Sequence, residues 1–399
     1  MRKTLAAVLL GTTLLTSGCS KKSEQARSVA TADMLVAQEA MDKAAVAPPG
    51  AAGSAVMAES GEAYRDWGKN PWVDTAKDRL STFAADVDTA SYTIARRKLE
   101  EGSLPPAAAV RVEEFVNYFK YAFPAPTDNT PFSVVMEAAP SPLHQGRHIL
   151  RVGVATKAKS ALEHKPAHLV FLVDVSGSMS SADKLGLAKR ALRILTDNLT
   201  ENDTVSLVTY AGTTRVVLQP TNDRNKILTA LEDLKSAGST GMASGIDLAY
   251  QQAIANMKPG HISRVIVLSD GDANVGPHTH DDLMKIISSR AKEGVTLSTI
   301  GFGMGNYKDE LMEQLANKGN GNNFYIDSID QAKRVFQEQL TANLEVVAKD
   351  VKLQVDFDPA LVARYRLVGY ENRDIKDDDF RKDEVDAGEI GAGLQVRAL

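Results

Sequence analysis

The run Asp174-Val175-Ser176-Gly177-Ser178 sets one carboxylate and two hydroxyls on alternate residues. Two other stretches carry oxygen donors of the same kind. Thr240 lies in the Gly-rich segment Ala237-Gly-Ser-Thr-Gly-Met-Ala-Ser-Gly245, and Asp270-Gly271-Asp272 follows an apolar run. Hard divalent cations take oxygen ligands, and Mg2+ keeps several waters at about 2.0–2.1 Å. Two carboxylates and three hydroxyls would give an all-oxygen site of that type. Hydroxyls bring little charge, so the metal would keep positive charge and an open position for an incoming carboxylate. Singly, an Asp or Ser at such a place is a helix cap or a turn residue. The five together point to a cation.

For these groups to meet, a fold must carry three loops to one edge. Leu169–Asp174, Thr204–Tyr210, Arg264–Ser269, Thr296–Phe302 and Asn323–Ile326 read as strands, with a weaker one at Arg215–Gln219. Helical spacing falls between them at about Lys184–Asn198, Arg224–Leu234, Ala243–Asn256, Asp282–Lys292, Asp309–Ala316 and Gln331–Val347. Val265-Ile266-Val267-Leu268 is apolar without alternation, which implies burial on both faces and a parallel sheet between helix layers. The expected class is α/β, a doubly wound, mostly parallel sheet. Ligands bind such sheets beyond the carboxyl ends of the strands, where Asp174 and Asp270 fall.

Asp174-x-Ser176-x-Ser178, with Thr240 and Asp270 downstream, resembles the metal-ion-dependent adhesion site of the von Willebrand factor type A (VWA) domain, a Rossmann-like fold. The resemblance covers about 168–345. It implies that Ser176 and Ser178 bind the metal directly and that Thr240 does so when ligand is engaged. Asp270 would act through water, and Asp174 directly or through water. The implied cofactor is Mg2+, with Mn2+ or Ca2+ as substitutes. The implied partner is a protein offering an Asp or Glu carboxylate to the metal.

The N-terminus carries a different message. Met1-Arg2-Lys3 is basic and Thr4–Leu15 is apolar, too short for the roughly 20 residues that span a bilayer. Cys19 is the one cysteine in the chain, so it has no internal disulfide partner. Leu15-Thr16-Ser17-Gly18-Cys19 resembles a bacterial lipobox, with Thr16 where Leu usually stands; this implies acylation of Cys19. By resemblance to enterobacterial sorting rules, Ser20 after the cysteine implies an outer-membrane lipoprotein facing the periplasm. The membrane is then reached through the N-terminal lipid.

The domain boundaries expected are a signal peptide at 1–18, a flexible tether at 19–75, and an N-terminal α+β region at 76–165. The type A domain at 166–347 and a short β-rich C-terminal segment at 348–399 complete the chain. The tether is richest in Ala, Ser, Gly, Lys and Glu from Ser20 to about Gly61, too poor in apolar surface to fold. Within the α+β region, the helical stretches 91–102 and 109–121 have Ile94, Leu99, Val112, Phe115, Val116 and Phe119 as apolar positions. Ser81-Thr-Phe-Ala-Ala-Asp-Val-Asp-Thr-Ala-Ser-Tyr-Thr-Ile-Ala-Arg-Arg97 and Val112-Glu-Glu-Phe-Val-Asn-Tyr-Phe119 are similar to the N-terminal domain of bacterial lipoproteins carrying a type A domain. Members of that lineage continue into a longer C-terminal region, so Gly391-Ala-Gly-Leu-Gln-Val-Arg-Ala-Leu399 reads as a truncated end.

The net charge of -5 argues against nucleic acid, which needs a basic surface. Enzyme readings find less support. A phosphatase with an Asp nucleophile commonly has a second Asp two residues on, where Ser176 stands. Neither Ser176 nor Ser178 sits in a Gly-x-Ser-x-Gly elbow. Gly301-Phe-Gly-Met-Gly305 lacks dinucleotide-binding spacing. Asp272 and Asn274 could open a calcium loop, but Gly276 falls one place late. His278, His280, the Arg96-Arg97 pair and Asp377–Asp379 read as solvated residues. The expected function is divalent-cation-dependent protein binding at the cell envelope without turnover. A metal-dependent hydrolase or phosphoryl-transfer enzyme, or a scaffold with a vestigial site, are the alternatives.

Overall fold

The structure, a computed structural model, describes residues 55–57, 61–85, 88–127, 130–158, 165–239, 241–272, 280–339, 344–382, 385 and 387–399. The expected leader, Cys19 and most of the expected tether lie outside these residues. The chain opens with short strands β1 (Ala55–Met57), β2 (Ala63–Arg65) and β3 (Val73–Asp74), then β4 (Leu80–Ala84). Helices α1 (Ala90–Glu100) and α2 (Val112–Tyr118) and the strands β5 (Phe132–Pro140) and β6 (His148–Thr156) follow.

The α/β domain comes next. It runs β7 (Ala167–Asp174), α3 (Leu185–Asp197), β8 (Thr204–Tyr210), β9 (Arg215–Thr221), α4 (Arg224–Glu232) and α5 (Met242–Ala255). Then come β10 (Ile262–Ser269), α6 (His280–Lys292), β11 (Val295–Phe302), α7 (Asp309–Lys318), β12 (Asn323–Ile326) and α8 (Ile329–Lys333). Its six strands lie in the order β12-β11-β10-β7-β8-β9. All neighbours are parallel except β9, which pairs antiparallel with β8 at the edge. This is the doubly wound, mostly parallel α/β sheet expected.

Alternate residues of the central strands feed two cores. Leu169, Phe171 and Val173 of β7 pack with Leu187, Ala188 and Leu192 of α3 and with Phe336, on one face. Val170 and Leu172 pack with Ile246 and Tyr250 of α5 and Leu283 of α6, on the other. Burial on both faces is why these strands read as unbroken apolar runs. Asp223 caps α4, its side chain accepting the Asn225 and Lys226 amides at 3.0 and 3.2 Å, which satisfies donors a helix start leaves open.

The last segment holds β13 (Val346–Asp356), β14 (Arg364–Tyr365), β15 (Gly388–Gly391) and β16 (Gln395–Ala398). Its strands pair backwards along the chain. β13 lies between β15 and β4, β14 pairs with β3, and β16 adds to the β5–β6 hairpin. The sequences on either side of the α/β domain therefore build joint sheets.

Four expectations need correction. The helix expected over Gln331–Val347 begins as α8, passes into a π-helical turn at Arg334–Gln339, and does not extend over Val346 and Val347, where β13 begins. Pairing of Val346 with Gly391 of β15 claims that end, a long-range demand that local spacing does not show. The tether expected to reach residue 75 gives way sooner: Glu62 and Tyr64 are fully buried. Leu99, Val112 and Phe119, read as apolar positions, are exposed. Arg97, read as solvated, is buried against Glu62, and Arg96 pairs with Asp327 at 2.6 Å. Among the described residues no helix is long and apolar enough to cross a membrane.

Candidate functional site

Asp174 ends β7 fully buried, since its strand is flanked by β10 and β8. Its Oδ1 accepts the Ser176 amide at 2.9 Å and its Oδ2 accepts the Ser269 hydroxyl at 3.0 Å. The chain then tightens into a 3-10 turn at Gly177–Ser180, and the Ser176 and Ser178 hydroxyls come within 3.0 Å. Ser176 is buried and Ser178 half-buried. The turn is stitched to the Gly-rich segment. The Gly177 amide donates to the Gly238 carbonyl at 3.0 Å, and the Ala237 amide to the Val175 carbonyl at 2.7 Å. Thr240 lies outside the described residues.

β10 runs parallel to β7 with Leu268 opposite Val173, so the two strands end together. Asp270 follows at that edge, fully buried. Gly271 turns the chain at φ +74°, where an added Cβ would sit 2.8 Å from the Lys308 amide nitrogen. Asp174, Ser176, Ser178 and Asp270 are thus gathered at one edge of the sheet. Burial raises the Asp174 carboxyl above its ordinary range; the Asp270 charge adds to this, against hydrogen bonds from Ser176 and Ser269.

Two further residues complete the arrangement. The Lys184 ammonium lies 3.0 Å from Asp270 Oδ2 and 2.7 Å from Asn306 Oδ1. Asn306 Nδ2 donates to Asp270 Oδ2 at 3.0 Å and to Asp272 Oδ2 at 3.2 Å. Lys184 reaches this point across Gly303, where a Cβ would stand 2.2 Å from its Cγ. Sequence reading takes Lys184 as a helix start and passes over Asn306. The glycines flanking that loop are a signal, but only the contact gives them meaning. His280 hydrogen-bonds Gln314 Oε1 at 2.6 Å on an exposed surface, and His278 lies outside the described residues.

The loop bearing Asn306 is clamped from behind by residues 61–63, at the start of β2. The Ala63 amide donates to the Tyr307 carbonyl at 3.1 Å, and Lys308 Nζ donates to the Gly61 carbonyl. The Gly305 amide donates to Glu62 Oε1 at 3.0 Å. Glu62 also pairs with Arg97 and Lys98, each at 2.8 Å. Burial alone would raise the Glu62 carboxyl, but the Lys98 and Gly305 hydrogen bonds and the Arg97 charge bring it down to about 2.

Among the described residues no group of three or more His, Cys, Asp or Glu could hold a metal. The candidate site rests instead on mixed carboxylate and hydroxyl oxygens, a donor set suited to a hard cation. Two buried carboxylates at neighbouring strand ends fit a positive charge, because like charges together out of water are costly. Lys184 already supplies one on the Asp270 side.

Residues 168–338 match the model of the von Willebrand factor type A domain. Residues 58–151 match a model described as von Willebrand factor, and 342–399 one described as the C-terminal part of the uncharacterized protein YfbK. The uncharacterized protein YfbK of Escherichia coli (strain K12) is 41% identical over 346 residues, covering 84% of this chain and 60% of that protein. The uncharacterized protein sll0103 of Synechocystis sp. is 28% identical over 232 residues, covering 57% of this chain and 54% of that one. The chain thus spans less than two thirds of the length of these curated relatives. A solved von Willebrand factor type A structure from Catenulispora acidiphila is 22% identical, covering 50% of this chain and 46% of that chain at a TM-score of 0.42. With its mixed sheet between two helix layers and its family match, this is a bacterial protein whose residues 168–338 form a von Willebrand factor type A domain.

Proposed function

We propose that the protein is a lipid-anchored envelope protein whose type A domain binds a protein partner through a divalent cation, without chemical turnover. Asp174, Ser176, Ser178, Thr240 and Asp270 would hold Mg2+, with Mn2+ or Ca2+ as substitutes. When bound, the metal would supply a positive centre for an Asp or Glu carboxylate of the partner. The supporting observation is the meeting of Asp174, Ser176, Ser178 and Asp270 at one sheet edge, with Asp174 raised by burial and by its neighbour's charge. Asp174 anchors the turn by accepting the Ser176 amide and so presents both serine hydroxyls together. The chain reaches the membrane through an acylated Cys19, facing the periplasm from the outer membrane.

Calorimetric titration of Mg2+ into the full chain and into Asp174→Ala tests the site. Heat in the first and none in the second is expected, and equal heats would remove the metal assignment. Cys19→Ala should leave the membrane fraction; unchanged partitioning would refute the anchor. Affinity capture from envelope extract with and without EDTA separates cation-dependent binding from a scaffold that binds regardless of metal. A phosphoester turnover lost in Asp174→Ala would instead favour an enzyme.

A further inference from the structure

The charges at the sheet edge carry the argument one step further, resting on the cation site proposed above. Lys184 is a nearly buried ammonium, its side chain 9% exposed, set against a fully buried carboxylate. Desolvating an ammonium costs several kcal/mol unless it is paired and hydrogen-bonded. Here it has both Asp270 Oδ2 and Asn306 Oδ1 as acceptors. Asn306 closes the triangle by donating to the same Asp270 oxygen. Gly303 keeps clear the path along which the lysine stem runs, and a side chain there would collide with Cγ and Cε at 2.2 and 2.4 Å. An ammonium delivered to one carboxylate oxygen this way is built in.

We propose that Lys184, oriented by Asn306, is a positioning residue that sets the charge of the cation site: it weakens the hold on the metal and strengthens the attraction for the partner's carboxylate. The charge count gives the reason. Asp174 and Asp270 alone would neutralise a divalent cation, and a neutral centre has little pull on a carboxylate. The Lys184 charge leaves the loaded site with a net positive charge. The same charge repels the incoming metal, so the two affinities are set against each other. Asn306 fixes the geometry, donating to Asp270 with its amide nitrogen and accepting from Lys184 with its oxygen. Groups behind the metal ligands commonly change metal affinity by about 10–100-fold, and here the sign is set by the like charge of Lys184.

The test compares Mg2+ titration of the full chain with that of Lys184→Met, Lys184→Gln and Lys184→Arg, each first checked for folding by circular dichroism. Both neutral variants should bind Mg2+ about tenfold more tightly, as expected for removing a like charge from the metal's neighbourhood, and Lys184→Arg should stay near the parent. N-acetyl-aspartate amide titrated into the Mg2+-loaded proteins should bind the neutral variants more weakly than the parent. A purely structural lysine would lower both affinities together. If the parent binds Mg2+ and a folded neutral variant binds it equally or less tightly, the inference falls while the cation site stands. Absence of Mg2+ binding in the parent removes the site itself, and this inference with it. Lys184→Gln keeps hydrogen-bonding capacity, so it remains informative if Lys184→Met does not fold.

Discussion

The Glu62 carboxylate accepts the Gly305 amide at 3.0 Å across 243 residues of sequence, one residue short of the asparagine that holds Asp270 and Lys184. A residue just before β2 therefore braces the loop beside the candidate site. The brace is also an ionic one, through Arg97 and Lys98.

Glu62→Gln should destabilise the fold by about 3 kcal/mol, since removing one member of a buried ion pair leaves the other charges uncompensated. Urea unfolding at neutral pH measures this. The sign with pH follows from a folded value near 2 against 4.5 unperturbed. The Glu62 contribution is fully present above pH 4.5 and is lost as pH falls toward 2. The variant should lack that part of the acid loss.

His168 gives a separate window. Burial, helped by the Lys258 charge, lowers its imidazole from 6.5 to about 4, while its Nδ1 lies 2.8 Å from the Thr204 hydroxyl. The folded protein keeps this ring neutral while the unfolded chain takes up a proton. Stability should therefore be intact above pH 6.5 and decline as pH falls to 4, by up to about 3 kcal/mol. His168→Gln should flatten the difference between unfolding curves recorded at pH 7 and pH 4.5. An unchanged slope would remove His168 from the account.

Asp174→Asn should raise the melting temperature in EDTA. The raised carboxyl means that the ionised form is penalised in the fold, so the penalty grows as pH rises through its folded pKa. The amide is uncharged and escapes it. Added Mg2+ should stabilise the parent and leave the variant unchanged, reversing their order. A variant less stable than the parent in EDTA would contradict the burial argument.

Gly303→Ala should cost about 2–4 kcal/mol in urea unfolding, because the residue stands at φ +78° and its methyl would meet the Lys184 stem. The damage should extend to the site. Mg2+ affinity should differ from the parent, whereas alanine at Gly260, left-handed but with no atom within 4 Å of its added Cβ, should give a smaller stability loss, that of the backbone strain alone, and leave Mg2+ affinity unchanged.

The strand ends were legible because burial on both faces writes itself into consecutive residues such as Val265–Leu268, and a carboxylate after such a run stands out. Asp174 and Asp270 were found that way. Lys184 was not, because a lysine before a helix has the look of a solvated cation, and its burial depends on Gly303 more than a hundred residues later. Asn306 had no pattern around it beyond glycines. The backward pairing of β13 with β4 was equally invisible, since Leu353 opposite Phe83 is a contact no local period encodes. Arg97 misled for the same reason, its partner Glu62 lying within the boundary 19–75 expected for a tether.

The joint sheets also bear on assembly during synthesis. Ala84 and its strand partner Lys352 stand 268 residues apart, and a ribosome adding about 5–20 residues per second needs roughly 13–54 s to cover that span. Over this interval β4 waits with an open edge while the whole α/β domain emerges and can close its own cores. β13 and β15 can join β4 only after the α/β domain has been made, and β16 likewise adds to the β5–β6 hairpin from the C-terminal side of that domain.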